Sequence, residues 1–219
     1  MTRDRWPLAM AGLGSLAFAL LGTAARPAEP GFAAEPASIA AFYESNVDGV
    51  LASQTLYFIS TLLLMCFAAG LYSMLRRERG GSEGQTAAVA FAGAIAGCAM
   101  LLGAGAASMM AALRADEAGR IAPDVATVLW DMSSILYGLA APMAMAVLVL
   151  AVAVAALRGA ALPAWLGVLS VPLGIALALP PINHVAIIAF QFWVGIAAVG
   201  VLLHGASAVK AAAPRSVTA

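Results

Sequence analysis

Charge is scarce in this chain: eleven basic and eleven acidic side chains make up 10% of 219 residues, against roughly a quarter in an ordinary soluble domain. A water-facing surface of normal size cannot be built from so little. Lysine is almost missing, with Lys210 alone beside ten arginines, and no basic run exists that could follow a phosphate backbone. Nucleic acid is therefore excluded as a partner. Cysteine is limited to Cys66 and Cys98, both inside apolar segments and neither in a CxxC or Cys/His cluster, which excludes a disulfide framework and a zinc site. The two histidines, His184 and His204, lie on one predicted helix about 30 Å apart, too far to share a haem. Walker, Rossmann, HExxH and GxSxG patterns are all missing, so phosphoryl transfer, hydride transfer and metal or serine hydrolysis have no visible machinery. Repeated transporter halves are missing too. No cofactor is expected.

What the chain has in quantity is long apolar runs, with 63% hydrophobic residues and a mean hydropathy of +0.95. A membrane-crossing helix needs about 20 such residues, and six segments qualify: 7–25, 50–75, 86–113, 125–157, 162–179 and 184–207. The expected fold is all-α, a single integral membrane domain over 1–219 built as a bundle of six transmembrane helices. Six crossings put both termini on one side. Arg3, Arg5, Arg76, Arg77, Arg79, Arg158, Lys210 and Arg215 fall on that side, and only Arg26, Arg114 and Arg120 on the other. The positive-inside rule then makes both termini cytoplasmic. Heavy use of alanine and arginine suggests a bacterial source, so the expected location is the bacterial cytoplasmic (inner) membrane. The opening MTRDRW, its apolar core and the run GTAA also fit a signal peptide, but the expectation here is a retained crossing helix.

Between the first two spans, three prolines interrupt the helix before the sequence turns amphipathic, with Ile39, Phe42 and Tyr43 on one face and Ser38 as a candidate N-cap. This predicts a short external helix lying on the membrane surface, a proline-rich linker being the alternative. In the third span Gly93 and Gly97 form a GxxxG pair that allows close helix approach. A central packing helix is the first interpretation and a dimer contact the second.

The polar residues inside the spans converge. Asp131, in VLWDMSSILYG, shares a helical stripe with Thr127, Ser134, Ile135, Gly138, Pro142 and Met145 at 100° per residue. Gln54, Tyr57, Phe58 and Thr61 lie together on span two, and His184, Ile188 and Gln191 on span six. Gln54, Asp131 and His184 all fall within the first two turns from the external end, so a pocket in the outer third of the bilayer is expected. A carboxylate inside a membrane costs at least ~2.5 kcal/mol and is usually retained for a use. Asp131 is the candidate catalytic residue; Gln54, Tyr57, Phe58, Thr61, Trp130, Ser134, Tyr137, His184 and Gln191 are the candidate substrate-binding residues. Against this, Asp131 could be a structural acceptor for Ser134 or His184, His184 could simply face water, and Trp130 and Tyr137 could be interfacial or core aromatics.

The stretches FYESNVDGVLASQTLY and RGAALPAWLGVLS resemble an abundant family of actinobacterial six-helix membrane proteins. In that family an external FYxxN segment leads into span two, an acidic residue opens span four and an LPxWLG turn opens span five. Phe42, Tyr43, Asn46, Asp131 and Leu162 to Gly167 match in kind. The resemblance implies the six-helix architecture and names no reaction.

Three functions remain. The first is an enzyme, an acid-catalysed isomerase or cyclase of an isoprenoid or other lipid-like molecule, comparable in size and architecture to small membrane terpene cyclases. There a desolvated, protonated Asp131 would donate the proton. Tyr57, Phe58, Trp130 and Tyr137 would face the cation, Trp130 and Tyr137 being brought in by neighbouring helices. The second is a non-catalytic subunit or lipid-binding scaffold, with a protein partner in the membrane. The third is a proton-coupled carrier. The expected ligand in each case is a membrane lipid or hydrophobic small molecule, and the sequence leaves the oligomeric state open.

Overall fold

The computed structural model describes residues 5–31, 33–78, 82–159 and 162–212. Among them helix is the only regular secondary structure, in the order α1 (Arg5–Ala25), α2 (Pro36–Ser45), α3 (Val47–Glu78), α4 (Ser82–Ala118), α5 (Pro123–Ile135), a π-helical turn (Leu136–Ala140), α6 (Ala141–Leu157), α7 (Ala164–Ala178) and α8 (Asn183–Ala212). Five rods are long and apolar enough to cross a membrane: Arg5–Ala25, Val47–Arg76, Gly84–Ala118, Pro123–Leu157 and Asn183–Leu203. The sixth expected span is shorter than the sequence suggested. Its helix α7 has 15 residues, which is about 22 Å and short of the ~30 Å hydrocarbon. The turn between α3 and α4 falls partly on 79–81, so Arg79, like Arg3 and Arg215, lies outside the described residues.

Small residues decide how these rods pack. A Cβ on Gly93 would stand 2.8 Å from the Leu148 backbone nitrogen and 2.9 Å from the Ala144 carbonyl, and one on Gly97 would stand 2.5 Å from the Met145 side chain. The GxxxG pair thus seats α4 directly on α6 within one chain. Helix α7 runs back along α6, Gly167 lying against Ala153, Ala156 and Leu157, and Gly174 against Leu150. Trp165 then meets Gly200 of α8, so α7 is antiparallel to both neighbours. Arg5 of α1 donates a hydrogen bond to the Val201 carbonyl at 3.3 Å, which places the start of α1 beside the late part of α8 at the same end of the bundle.

The opposite end is closed by α2. Ile39, Phe42 and Tyr43 are buried as their spacing predicts, but against the bundle rather than a membrane surface: they meet Ala111, Ala112 and Ala115 of α4 and Ala126 and Trp130 of α5. Phe42, Tyr43 and Trp130 form an edge-to-face cluster with centroids 5.2, 6.0 and 6.4 Å apart. Ser38 is interior to α2 and does not cap it; the helix starts at Pro36, whose missing N–H costs nothing in a first turn. Glu44 locks the same cap by accepting the Ile121 N–H at 3.0 Å.

Candidate functional site

The α5–α6 rod contains a defect that sets the site. Pro142 has no N–H to give the ladder, and the helix widens to a π turn over Leu136–Ala140 just before it. A π turn accommodates one extra residue, so the faces before and after it are rotated by about 100° relative to an unbroken α-helix. The stripe expected from Asp131 to Met145 is broken by that rotation. Pro142 and Met145 are buried, whereas Asp131 and Ile135 face outward.

Beside the π turn, at the α2 end of the bundle, lies a cavity of about 200 Å³ walled by α1, α3, α4, α5 and α8. Seven of the ten expected site residues line it: Gln54, Tyr57, Thr61, Trp130, Ser134, Tyr137 and Gln191. Three do not. Phe58 lies behind the wall, against Gly105, where an added Cβ would stand 2.4 Å from its ring. His184 is exposed at the start of α8, about two turns before the cavity-lining Gln191. Asp131 is exposed, makes no hydrogen bond or ion pair with a described residue, and is outside the lining. Counting 1.5 Å per residue from Arg158, the charged residue that ends the rod, Asp131 sits roughly 40 Å away, beyond a ~30 Å hydrocarbon layer. The carboxylate that looked intramembrane by sequence can therefore be solvated at the interface.

Sequence reasoning missed Thr23, Arg26, Glu29, Ser60, Ser108 and Ser133, all part of the lining. Arg26 and Glu29 come from the loop after α1, and their i, i+3 spacing around Pro27 is the signal the sequence offers for them. They form a two-bonded ion pair, with Arg26 Nε to Glu29 Oε1 at 2.5 Å and Arg26 Nη2 to Glu29 Oε2. The Arg26 guanidinium also stands 5.7 Å from the centroid of the Tyr137 ring. Burial opposes the charge on Arg26, but the hydrogen-bonded, oppositely charged Glu29 more than offsets it, and the pKa is raised.

The polar groups around the cavity divide sharply into two sets. Thr23 bonds the Ala19 carbonyl at 2.9 Å and the Tyr57 hydroxyl at 3.0 Å; Thr61 bonds the Tyr57 carbonyl at 2.8 Å; Ser60 bonds the Ser15 carbonyl at 2.7 Å. These hydroxyls are already committed. The carboxamides of Gln54 and Gln191 and the hydroxyls of Ser133 and Ser134 make no hydrogen bond with a described residue, and Gln191 Oε1 and Trp130 Nε1 are buried without one. An unpartnered buried amide costs about 1–3 kcal/mol. The rim is apolar, with Leu20, Ile188 and Phe192 at 45%, 57% and 47% exposure on the outer surfaces of α1 and α8.

Among the described residues no group of three or more His, Cys, Asp or Glu is placed to hold a metal ion. No protein-family model, curated protein or solved structure matches the chain.

Proposed function

We propose that this chain is a multi-pass membrane protein that binds an amphipathic small molecule, a membrane lipid or a lipid-like compound, in the cavity at the α2 end. The observation that carries this reading is the set of unpartnered amides and hydroxyls inside an apolar bundle, bordered by an outward-facing apolar rim. A polar head would supply the missing hydrogen bonds and an apolar tail would leave between α1 and α8.

This reading keeps the binding half of the sequence expectation and sets aside its acid. Acid-catalysed cyclisation or isomerisation needs a proton donor at the substrate, and the lining carboxyl, Glu29, is already paired with Arg26. Binding by a lipid-carrying scaffold or carrier needs only the groups that line the cavity. Six crossings with α2 outside and both termini cytoplasmic, in a bacterial inner membrane, complete the proposal, α7 crossing as a short helix with its flanking turns completing the span; the antiparallel course of α7 and the Arg5–Val201 contact support it. The FYESN segment, which forms the end of α2, and the LPAWLG segment, which leads into α7, fit the actinobacterial six-helix family as an architectural kinship.

Native mass spectrometry of protein extracted from its own membranes tests the binding proposal. A bound apolar species is expected in the wild type and is lost in Ser134→Phe, which fills the cavity, while the melting temperature stays close to wild type. A species that persists in Ser134→Phe binds elsewhere and overturns the assignment.

A further inference from the structure

Resting on the binding proposal, the geometry points to the chemical class of the ligand: we infer that the cavity takes an uncharged, hydrogen-bonding head of about glycerol size carried on an apolar chain. The first observation is electrical. Among the described residues, the charged side chains of the lining are Arg26 and Glu29, and they neutralise each other through two hydrogen bonds. An anionic head would have to displace Glu29 from the Arg26 fork and would meet its like charge. A cationic head would meet Arg26, which already occupies the face of Tyr137. Either ion would leave water for a site that holds no spare counter-charge, and a buried unpaired charge is far costlier than a buried unpaired amide.

The second observation is the pattern of unmet hydrogen bonds. The carboxamide of Gln54 and the hydroxyls of Ser133 and Ser134 line the cavity without a hydrogen bond to a described residue, and each can both donate and accept. Hydroxyl and amide groups offer both, and neither carries charge. The third is size. A cavity of about 200 Å³ corresponds to about seven waters at their share of liquid volume, which suits a small polar head. The exposed rim residues Leu20, Ile188 and Phe192 leave the chain of the ligand in the bilayer.

Three photoreactive probes test this in phosphatidylcholine nanodiscs holding the full chain. Each is a dodecyl chain with a terminal diazirine, and the heads are glycerol, phosphate and trimethylammonium. The glycerol-headed probe is expected to label peptides containing Leu20, Ile188 or Phe192 at least tenfold more than either charged probe. Gln191→Leu should reduce that labelling about tenfold, and Gln54→Leu on a different helix should do the same, so a folding failure of one variant leaves the other as the test. In Arg26→Gln/Glu29→Gln the glycerol head should still exceed the phosphate head. A preference for the phosphate probe that vanishes in Arg26→Gln overturns the uncharged assignment in favour of anion recognition. Preference for the trimethylammonium probe, or equal labelling by all three, overturns it as well while leaving cavity binding intact. If no probe labels these peptides above the outward-facing peptide around Leu62, the binding proposal fails and this inference fails with it.

Discussion

Gln191 and Asp131 are polar residues on apolar helices, yet they meet opposite conditions. Gln191 is held inside the bundle with its Oε1 buried and unpartnered, whereas Asp131 faces outward near the α2 end. Asp131→Asn is accordingly expected to leave ligand retention unchanged and stability within ~0.5 kcal/mol, as for other outward-facing positions without partners. Thermal melts and native mass spectrometry of the variant check both, and a loss of retention would return Asp131 to the site. Tyr43 makes a second residue-scale case. Its hydroxyl is buried without a partner, and burial pushes the phenol above its ordinary 10.0, an effect the neighbouring Ser108 partly offsets. A raised folded-state pKa means the native state keeps its proton longer than the unfolded chain. Stability from Tyr43 is therefore complete below about pH 10 and is lost as pH rises through the folded value. Tyr43→Phe should flatten the fall in melting temperature above pH 10 relative to wild type, and an unchanged slope would assign that fall to other groups.

At the scale of elements, the close approach of α4 to α6 depends on what two glycines lack. The neighbours of a Cβ at Gly93 are backbone atoms of Leu148 and Ala144, which cannot move without separating the helices. Gly93→Ala is expected to destabilise by about 1–3 kcal/mol, the usual range for overpacking. Gly138, in the π turn, has nothing within 4 Å of its Cβ position, so Gly138→Ala should be neutral or mildly stabilising. Melting curves of the pair in one detergent provide the comparison, and equal effects would contradict the packing account. The π turn itself works at this scale, because it shifts the face of α5 that carries Trp130 and Ser134 relative to the buried face of α6 that carries Pro142 and Met145, with Tyr137 at the cavity between them.

For the whole molecule, the decisive quantity is rod length against bilayer thickness. The Pro123–Leu157 rod is about 50 Å long, some 20 Å more than the hydrocarbon needs. With Arg158 set at one face of the layer, the surplus would stand at the α2 end, where the Phe42, Tyr43 and Trp130 cluster, the Glu44–Ile121 bond and the cavity are found. With the basic residues concentrated at the other end, this end should face outside the cell. On a background without Cys66 and Cys98, Ser45→Cys is expected to react with an impermeant maleimide in intact cells and Ser82→Cys is not. The reverse pattern would invert the topology and leave the cavity opening toward the cytoplasm.

Apolar content and run length alone fixed the class of this protein, because a helix that must satisfy its own backbone in hydrocarbon has to be long and uniformly apolar, and that is readable residue by residue. Helical periodicity likewise foretold the buried face of α2 and placed Gln54, Tyr57 and Thr61 on one face of α3, whereas of Gln54, Asp131 and His184, the three residues expected to meet at one depth, Gln54 alone lines the cavity. Tertiary structure decided the rest. Asp131 faces out because α5 presents Trp130, Ser133 and Ser134 to the bundle, and the register of that face with Pro142 and Met145 is shifted by a π turn that no wheel drawn at constant pitch contains. Arg26 and Glu29 joined the cavity because the loop after α1 folds over Tyr137, a contact between residues 111 positions apart that no local pattern encodes. Local sequence sets which side chains share a face; which face meets which neighbour is set by helix defects and long-range packing, and those are properties of the assembled bundle.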